Sequence, residues 1–186
     1  MRTALSILAA IFLGLTTYAQ NGKIFYGSYG SVRTVAEWNG IRIPENTVLG
    51  VQIIADNASY NGLSYDSWLK VVPELESSIP ALVDRCVEGA NNRFNRSFQN
   101  VYFSSVTQGR DYLVTLVLRQ VSKQGDSVAD VTIETPDGQR AFILTLKGAG
   151  GRYGSFINLM GDGMESLGYE LAKRLNKARF QNKIHQ

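Results

Sequence analysis

The side chains that most often carry catalysis are scarce in this 186-residue chain. Its one histidine is His185, next to the last residue, and its one cysteine is Cys86. A Ser-His-Asp or Cys-His site and a histidine-based zinc site therefore lack the residues they need. A glycosidase needs two carboxylates facing each other across a cleft, and the spacing of Asp162, Glu165 and the other acids indicates no such pair. The sequence predicts no catalytic residue, no metal site and no cofactor.

A glycine-rich link from Gly148 to Gly154 precedes a long amphipathic segment, and such links can hold a phosphate at a helix N-terminus. The spacing fits neither usual template. The dinucleotide fingerprint counted from Gly148 needs a glycine where Tyr153 stands, and no Lys-Ser or Lys-Thr follows as a P-loop requires. We therefore expect a tight crossover from strand to helix with no bound nucleotide.

Aromatic side chains on predicted loops offer another kind of site, because their rings could stack on a sugar or contact a partner. This candidate binding surface consists of Tyr60, Tyr65, Trp68, Arg152 and Tyr153. The tyrosines of residues 26–31 could stack in the same way, and clamping of those tyrosines onto the domain's own sheet is the alternative.

A candidate modification site lies on the predicted turn that contains Asp126, Ser127 and Val128. The three residues match the Asp, then Ser or Thr, then aliphatic tripeptide at which some bacteria O-glycosylate exported proteins. Ser127 is therefore a candidate O-glycosylation site that a transferase could reach.

Residues 1–19 have the features of a secretory signal peptide. Arg2 gives a positive start, residues 4–15 are mostly apolar, and Ala19 supplies a small residue at the cleavage position. The apolar run is shorter than the roughly 20 residues of a membrane-spanning helix. We therefore expect export to the periplasm or the extracellular space, with the mature chain beginning at Gln20, no lipid anchor and no transmembrane segment.

The charge balance limits the class of partner. The net charge is only +3, whereas a dedicated nucleic-acid binder carries a strong basic footprint, so we expect no nucleic acid. Basic residues gather at the end of the last predicted helix and in the tail, residues 181–186. They could contact anionic lipid or polymer, or they could simply complement the helix dipole.

The pattern of apolar residues predicts an α+β two-layer sandwich. A hairpin turn at Thr135-Pro136-Asp137-Gly138 joins two strands, the first with Ala129, Val131 and Ile133 facing inward. A strand over 111–122 has two apolar faces and is predicted to be covered on both sides. The predicted order is β-α-β-β-β-β-α, with a mainly antiparallel sheet, a consecutive antiparallel run of four strands, and both helices on one face.

Two predicted helices form the second layer. The first spans about 79–95, entered through Pro80, with Cys86 as a small buried hydrophobe. The second repeats apolar residues every three or four positions from Phe156, and the glycines inside it indicate close packing on the sheet, a kink near Gly161 or a fresh start at Asp162. Residues 48–180 form a single domain, and residues 20–47 form an extension or a hairpin centred on Asn39-Gly40.

The run from Lys147 to Gly168 reads KGAGGRYGSFINLMGDGMESLG. It resembles the C-terminal signature, of the type GxGGRxGSFxNLxGDG, of uncharacterised bacterial envelope proteins that carry signal peptides. More loosely, the pattern from Val48 through the last helix is similar to envelope accessory domains of penicillin-binding-protein activators and the N-terminal part of TolB. The resemblance implies a small α/β domain in the envelope and transfers no catalytic residues.

These observations favour a non-catalytic exported accessory domain that binds another envelope protein. The alternative is a module that binds a small ligand or a glycan through its loop aromatics, and an enzyme is the third hypothesis. Exposed rings in a concave groove would favour the glycan, whereas a flat apolar patch or an open strand edge would favour the protein.

Overall fold

The computed structural model describes residues 36–38, 46–94, 101–110 and 112–183. The strands are β1 (Ala36–Trp38), β2 (Val48–Ile54), β3 (Ser59–Tyr60), β4 (Tyr102–Ser104), β5 (Tyr112–Val121), β6 (Ser127–Glu134) and β7 (Arg140–Gly148). The helices are α1 (Tyr65–Leu69), α2 (Leu75–Phe94) and α3 (Phe156–Lys183). The predicted signal peptide, the predicted hairpin at Asn39-Gly40 and residues 184–186 lie outside the described residues.

The strands form one seven-stranded mixed sheet in the order β1-β7-β6-β5-β2-β4, with β3 paired to β5. The pairs β1–β7, β7–β6 and β6–β5 are antiparallel, whereas β5 pairs in parallel with β2 and β3, and β2 pairs in parallel with β4. The predicted antiparallel run of four is therefore wrong, because β4 pairs with β2 and not with β5. The segment between β4 and β5 cannot form a hairpin, since it must return to the start of a parallel strand; it passes over Gly50 on the way.

The predicted hairpin is confirmed. The Gly138 N–H donates to the Thr135 carbonyl at 2.9 Å, and Gly138 has a φ of 77°, which glycine adopts without strain. The register places Ala129 opposite Leu146 and Val131 opposite Leu144, and all four side chains are buried. The inward face of this strand pair is the one that the alternation predicts.

Helices α2 and α3 pack side by side on the inner face of the sheet, which confirms the α+β two-layer sandwich. Helix α2 begins at Leu75, earlier than predicted, and continues through Pro80. Leu75 is fully buried. The packing of the first turn of α2 therefore compensates for the backbone hydrogen bond that Pro80 cannot donate. Helix α3 is a single helix from Phe156 to Lys183, without a fresh start at Asp162.

Two glycines allow the helices to touch through their backbones. A Cβ atom on Gly89 of α2 would overlap the Glu165 backbone, and one on Gly168 of α3 would overlap the Cys86 carbonyl. The two contacts are reciprocal and lie one helical turn apart. The prediction that glycines let α3 pack closely is confirmed, although at this crossing the close partner is α2.

Cys86 lies at this crossing with 1% of its surface exposed, as predicted. Burial raises the pKa of its thiol from 9.0 to about 12. The folded protein therefore keeps this proton, whereas the unfolded chain loses it above pH 9. Below pH 9 the free energy of unfolding does not depend on this thiol. Between pH 9 and 12 it falls as the pH rises. In that range, titration of Cys86 lowers the free energy of unfolding by about 1.4 kcal/mol per pH unit.

Urea unfolding measured between pH 8 and 12 checks this prediction, with Cys86→Ala as the matched control. Burial also raises the pKa of Tyr60, but that contribution is common to both proteins. A Cys86→Ala profile parallel to that of the wild type would contradict the assignment.

Candidate functional site

The predicted aromatic binding surface does not exist as one surface. Tyr60 is fully buried and its hydroxyl donates to the Ala55 carbonyl at 2.9 Å. Trp68 is 7% exposed and stacks edge-on against Phe156, with their ring centroids 5.1 Å apart. Tyr60 is held by the pairing of β3 with β5, and Trp68 is held on α1 against the first residue of α3. These two residues are therefore corrected from ligand contacts to core residues.

The other three predicted residues keep some exposure but are not gathered together. Tyr65 is half-buried, with its ring centroid 5.8 Å from that of Tyr60. Arg152 and Tyr153 lie in the glycine-rich link, and Tyr153 is 89% exposed. A single exposed ring and a single cation remain there, which is less than a sugar site needs.

The proposed O-glycosylation of Ser127 is contradicted by the structure. Ser127 begins β6, it is fully buried, and its hydroxyl donates to the Gly125 carbonyl at 2.9 Å. The chain turns before this residue, at Ser122, whose N–H donates to the Asp126 carbonyl. A transferase cannot reach the Ser127 hydroxyl in the folded domain.

Three amides of the glycine-rich link are used within the protein. The Ala149 N–H donates to Ser166 Oγ at 3.0 Å, the Gly150 N–H to Asp126 Oδ1 at 3.0 Å, and the Gly151 N–H to the Leu159 carbonyl at 3.3 Å. The carboxylate of Asp126 thus takes the place that a phosphate would occupy at such a link. The geometry supports a structural crossover.

The link should therefore respond to substitution and not to nucleotides. Gly154 has a φ of 118°, so we expect Gly154→Ala to cost roughly 1–2 kcal/mol of stability. Gly151→Ala should cost less, since its added Cβ meets mainly the movable side chains of Asp162 and Leu159.

Thermal unfolding with and without ATP, NAD or phosphate checks this prediction, and Arg152→Ala, an exposed change in the same link, is the control. Saturable stabilisation by one of these ligands, lost in Gly154→Ala, would show that the link binds an anion.

The sheet face opposite the helices, which we call the outer face, is open over β5 and its neighbours. Leu113 and Val117 of β5 are half-buried and Arg119 is exposed, which corrects the prediction that this strand is covered on both sides. On β2, Ile54 is 37% exposed beside Val117. The alternation of apolar residues correctly marked two apolar faces, but only one of them meets helices.

Polar groups of the outer face are paired along the sheet. Gln52 Nε2 donates to Thr115 Oγ1 at 2.9 Å. Arg119 Nη2 lies 2.6 Å from Asp130 Oδ2, and Asp130 Oδ1 accepts from the Thr145 hydroxyl at 2.8 Å. These pairs hold the side chains flat against the strands. The result is a surface with apolar and paired polar patches.

The loop between β4 and β5, residues 105–110, borders the outer face. Its backbone packs so closely over Gly50 that a Cβ there would lie 2.9 Å from Thr107 Cα. Val106 of the loop is 57% exposed, and Tyr102 of β4 is exposed on the same side of the sheet. Three of the exposed large hydrophobic residues, Ile54, Tyr102 and Val106, therefore lie on or beside one face.

The free edge of β4 is capped by a side chain of α2. The Phe103 N–H donates to Asn91 Oδ1 at 2.8 Å, and Asn91 Nδ2 donates to the Phe103 carbonyl at 3.0 Å. The amide of Asn91 thus satisfies the two backbone groups that point away from β2. Another strand cannot pair with this edge until that contact breaks.

A concave groove of about 390 Å³ lies on the solvent side of the crossing between α2 and α3. We call it the interhelical groove. Its lining consists of Gly89, Asn92, Asp162, Glu165, Ser166 and Tyr169. The sequence signal for the interhelical groove was the pair Gly89 and Gly168. Glycines in two helices predict that the helices pack closely, but they do not show which residues line the space beside the contact.

One arginine organises the carboxylates of this groove. Arg85 Nη2 lies 2.8 Å from Asp162 Oδ1 and 2.7 Å from Glu165 Oε2. The guanidinium of Arg93 sits over the ring of Tyr169, 5.5 Å from its centroid. Asp162 and Glu165 are therefore held in place by a side chain of α2.

The described part of the chain contains neither a metal-binding cluster nor a helix able to span a membrane. There, no three or more His, Cys, Asp or Glu side chains come together in a way that could hold a metal ion. Of the helices in the same residues, none combines the length and the apolar character needed to cross a membrane.

Fold and surfaces together define a two-layer α+β domain with an open outer face and a polar groove between its helices. No protein-family model and no curated protein sequence matches the chain. Solved structures with a similar backbone fold include an uncharacterised protein. Its TM-score is 0.42 and its sequence identity 13%, over 70% of this chain and 93% of that one.

Two further similar structures come from named bacteria. They are the PelC dodecamer of Paraburkholderia phytofirmans (TM-score 0.40, 12% identity, 75% of this chain and 96% of that one) and protein XCC0632 of Xanthomonas campestris, of family DUF330 (TM-score 0.37, 11% identity, 75% and 88%). Likeness of this extent assigns no function. The resemblance to penicillin-binding-protein activators and TolB, and the C-terminal signature, stay predictions.

Proposed function

We propose that this chain is a non-catalytic, exported accessory domain of the bacterial envelope that binds another protein through its outer face. The observation that carries the proposal is the apolar floor of that face, formed by the half-buried Leu113 and Val117 and by Ile54, which is 37% exposed. A sheet that packs on its core through one face ordinarily has polar side chains on the other. Here the face without helices carries these three apolar side chains, and a partner would cover them.

The size and composition of the outer face fit a protein interface. The four longer strands, β2, β5, β6 and β7, at about 4.8 Å and about seven residues at about 3.3 Å give roughly 440 Å² on this side. Counting both partners, roughly 900 Å² would be buried, which suits a transient complex. Apolar side chains among paired polar ones, as in Gln52–Thr115 and Arg119–Asp130, are typical of non-obligate interfaces.

Three other observations support this choice over its alternatives. The capped edge of β4 disfavours recognition by strand addition there, which leaves the face as the better contact. The loop-aromatic glycan site of the sequence hypothesis loses Tyr60 and Trp68 to the core. Catalysis lacks histidine throughout the domain, because His185 is the only one.

Site-specific photo-crosslinking in the native envelope tests the proposal. A photoreactive residue at position 54 or 117 should capture one protein reproducibly, whereas the same residue at Val71, an aliphatic side chain 60% exposed in the turn after α1, should not. The captured protein is then purified and its affinity measured.

The same assay separates this function from its alternatives. Val117→Lys should weaken the binding of the purified partner at least about tenfold, whereas Val71→Lys should leave it unchanged. Equal capture from all three positions, or equal binding by both variants, would contradict the proposed interface.

Export itself leads to a separate prediction. We expect signal cleavage after Ala19, because a positive start and an apolar run precede small residues. Intact-mass measurement of protein recovered from the envelope fraction checks it. A mass that still includes residues 1–19 would contradict it.

A further inference from the structure

We propose that the interhelical groove is a binding site for a neutral saccharide. The site is separate from the outer face, and nothing in the proposed protein-binding function requires it. Its volume of about 390 Å³ lies within the range of small-ligand sites. The inference rests on what lines the groove, how those groups are held and how their charges balance.

The backbone contact between the helices forms the groove. Gly89 has no side chain, and a Cβ at that position would overlap the Glu165 backbone. The helices therefore meet backbone to backbone at a residue that also lines the open space. Any larger residue at position 89 would both separate the helices and fill the groove, so the depression follows from the same contact that stabilises the pair.

The aromatic wall is Tyr169, which is 36% exposed. The Arg93 guanidinium lies over its ring at 5.5 Å from the centroid, and this cation–π contact limits rotation of the ring. The exposed part of the ring offers an apolar surface with a fixed orientation. Sugars present apolar C–H faces that pack on such rings.

The polar groups of the groove are arranged to bind hydroxyl groups. Arg85 takes one oxygen of Asp162 and one of Glu165, and each carboxylate has a second oxygen that can accept a hydrogen bond. The exposed amide of Asn92 can donate and accept. No aliphatic side chain lines the groove, which disfavours a lipid or an apolar peptide.

Charge balance selects a neutral ligand. Arg85 contacts both carboxylates and the Arg93 guanidinium lies over Tyr169, so the formal charges of these four groups sum to zero. A strongly anionic or cationic polymer would have to displace one of these partners. A polyhydroxylated neutral molecule can use the remaining oxygens without breaking either contact.

Titration of the ¹⁵N-labelled protein with defined oligosaccharides tests the proposal. The probes are maltotetraose and a tetramer of N-acetylglucosamine as neutral sugars, with tetragalacturonate and a glucosamine tetramer as charged ones. We expect at least one neutral sugar to shift the amide signals of Gly89, Asn92, Glu165 and Tyr169 in a saturable way.

The substitution Tyr169→Ala should weaken that binding by about tenfold or more, whereas Tyr153→Ala, which removes a more exposed tyrosine elsewhere, should not. Both side chains are partly or largely exposed, so both variants should fold, and their amide spectra check this.

Three outcomes would overturn the proposal. The first is the absence of shifts with every neutral sugar up to about 10 mM, well above the ~1 mM scale of weak binding. The second is binding that Tyr153→Ala abolishes and Tyr169→Ala does not. The third is binding of the charged sugars alone.

Discussion

Replacing Gly168 by alanine is expected to lower the stability of the domain by roughly 3 kcal/mol, and its melting temperature by about 10 °C. The added Cβ would overlap the Cys86 carbonyl and the Ala90 amide nitrogen. These are backbone atoms of a helix, so no rotamer change can relieve the clash. The helices must move apart, which opens the core on both sides of the crossing.

Gly161→Ala is the matched control for this prediction. Gly161 lies in the same helix, but a Cβ there would meet only the side chain of Arg85, at 3.7 Å. Alanine gains up to about 1 kcal/mol over glycine inside a helix, so this variant should be as stable as the wild type or more stable. Equal losses in the two variants, measured by urea and thermal unfolding, would show that helix propensity and not the crossing dominates.

Replacing Asn91 by alanine should cost about 2–3 kcal/mol. The change leaves the Phe103 N–H and carbonyl without the partners that they have in the folded protein, and each buried unpaired group costs about 1–3 kcal/mol unless water reaches it. It also frees the edge of β4. We therefore expect both a lower unfolding midpoint and a growing fraction of dimer at high concentration.

Asn92→Ala provides the comparison for Asn91→Ala. Asn92 is the next residue of α2 and is exposed, so its loss should change the unfolding midpoint little. Urea unfolding and light scattering of the two variants decide the matter. If Asn91→Ala unfolds at the wild-type midpoint, the contact at Phe103 contributes no net stability.

Much of the fold could be predicted because its signals are local. The turn at Thr135-Pro136-Asp137-Gly138 fixes β6 against β7, and the three- and four-residue spacing from Phe156 fixes the inner face of α3. The parallel pairing of β4 with β2 could not be predicted, since no short turn encodes it. Gly50 is a local sequence feature of the crossover between β4 and β5. Its role becomes clear only in the structure, where the loop at Thr107 lies against it.

The functional surfaces were harder to predict for a related reason. Aromatic residues at Tyr60 and Trp68 looked like loop residues because the sequence around them is polar, whereas long-range packing against the sheet decides their burial. The interhelical groove joins residues from two helices that are distant in the chain, such as Gly89 and Glu165. A single sequence does not show which helix faces which.

The order of the strands also limits when the domain can fold. Gln52 and Thr115, hydrogen-bonded neighbours on β2 and β5, are 63 residues apart in the chain, and Arg85 and Asp162 are 77 apart. Such distant contacts are costly to close and slow the search for the native state. A chain that emerges N-terminus first cannot complete its helical layer until α3 is available, and until then the inner side of β6 and β7 remains open to aggregation.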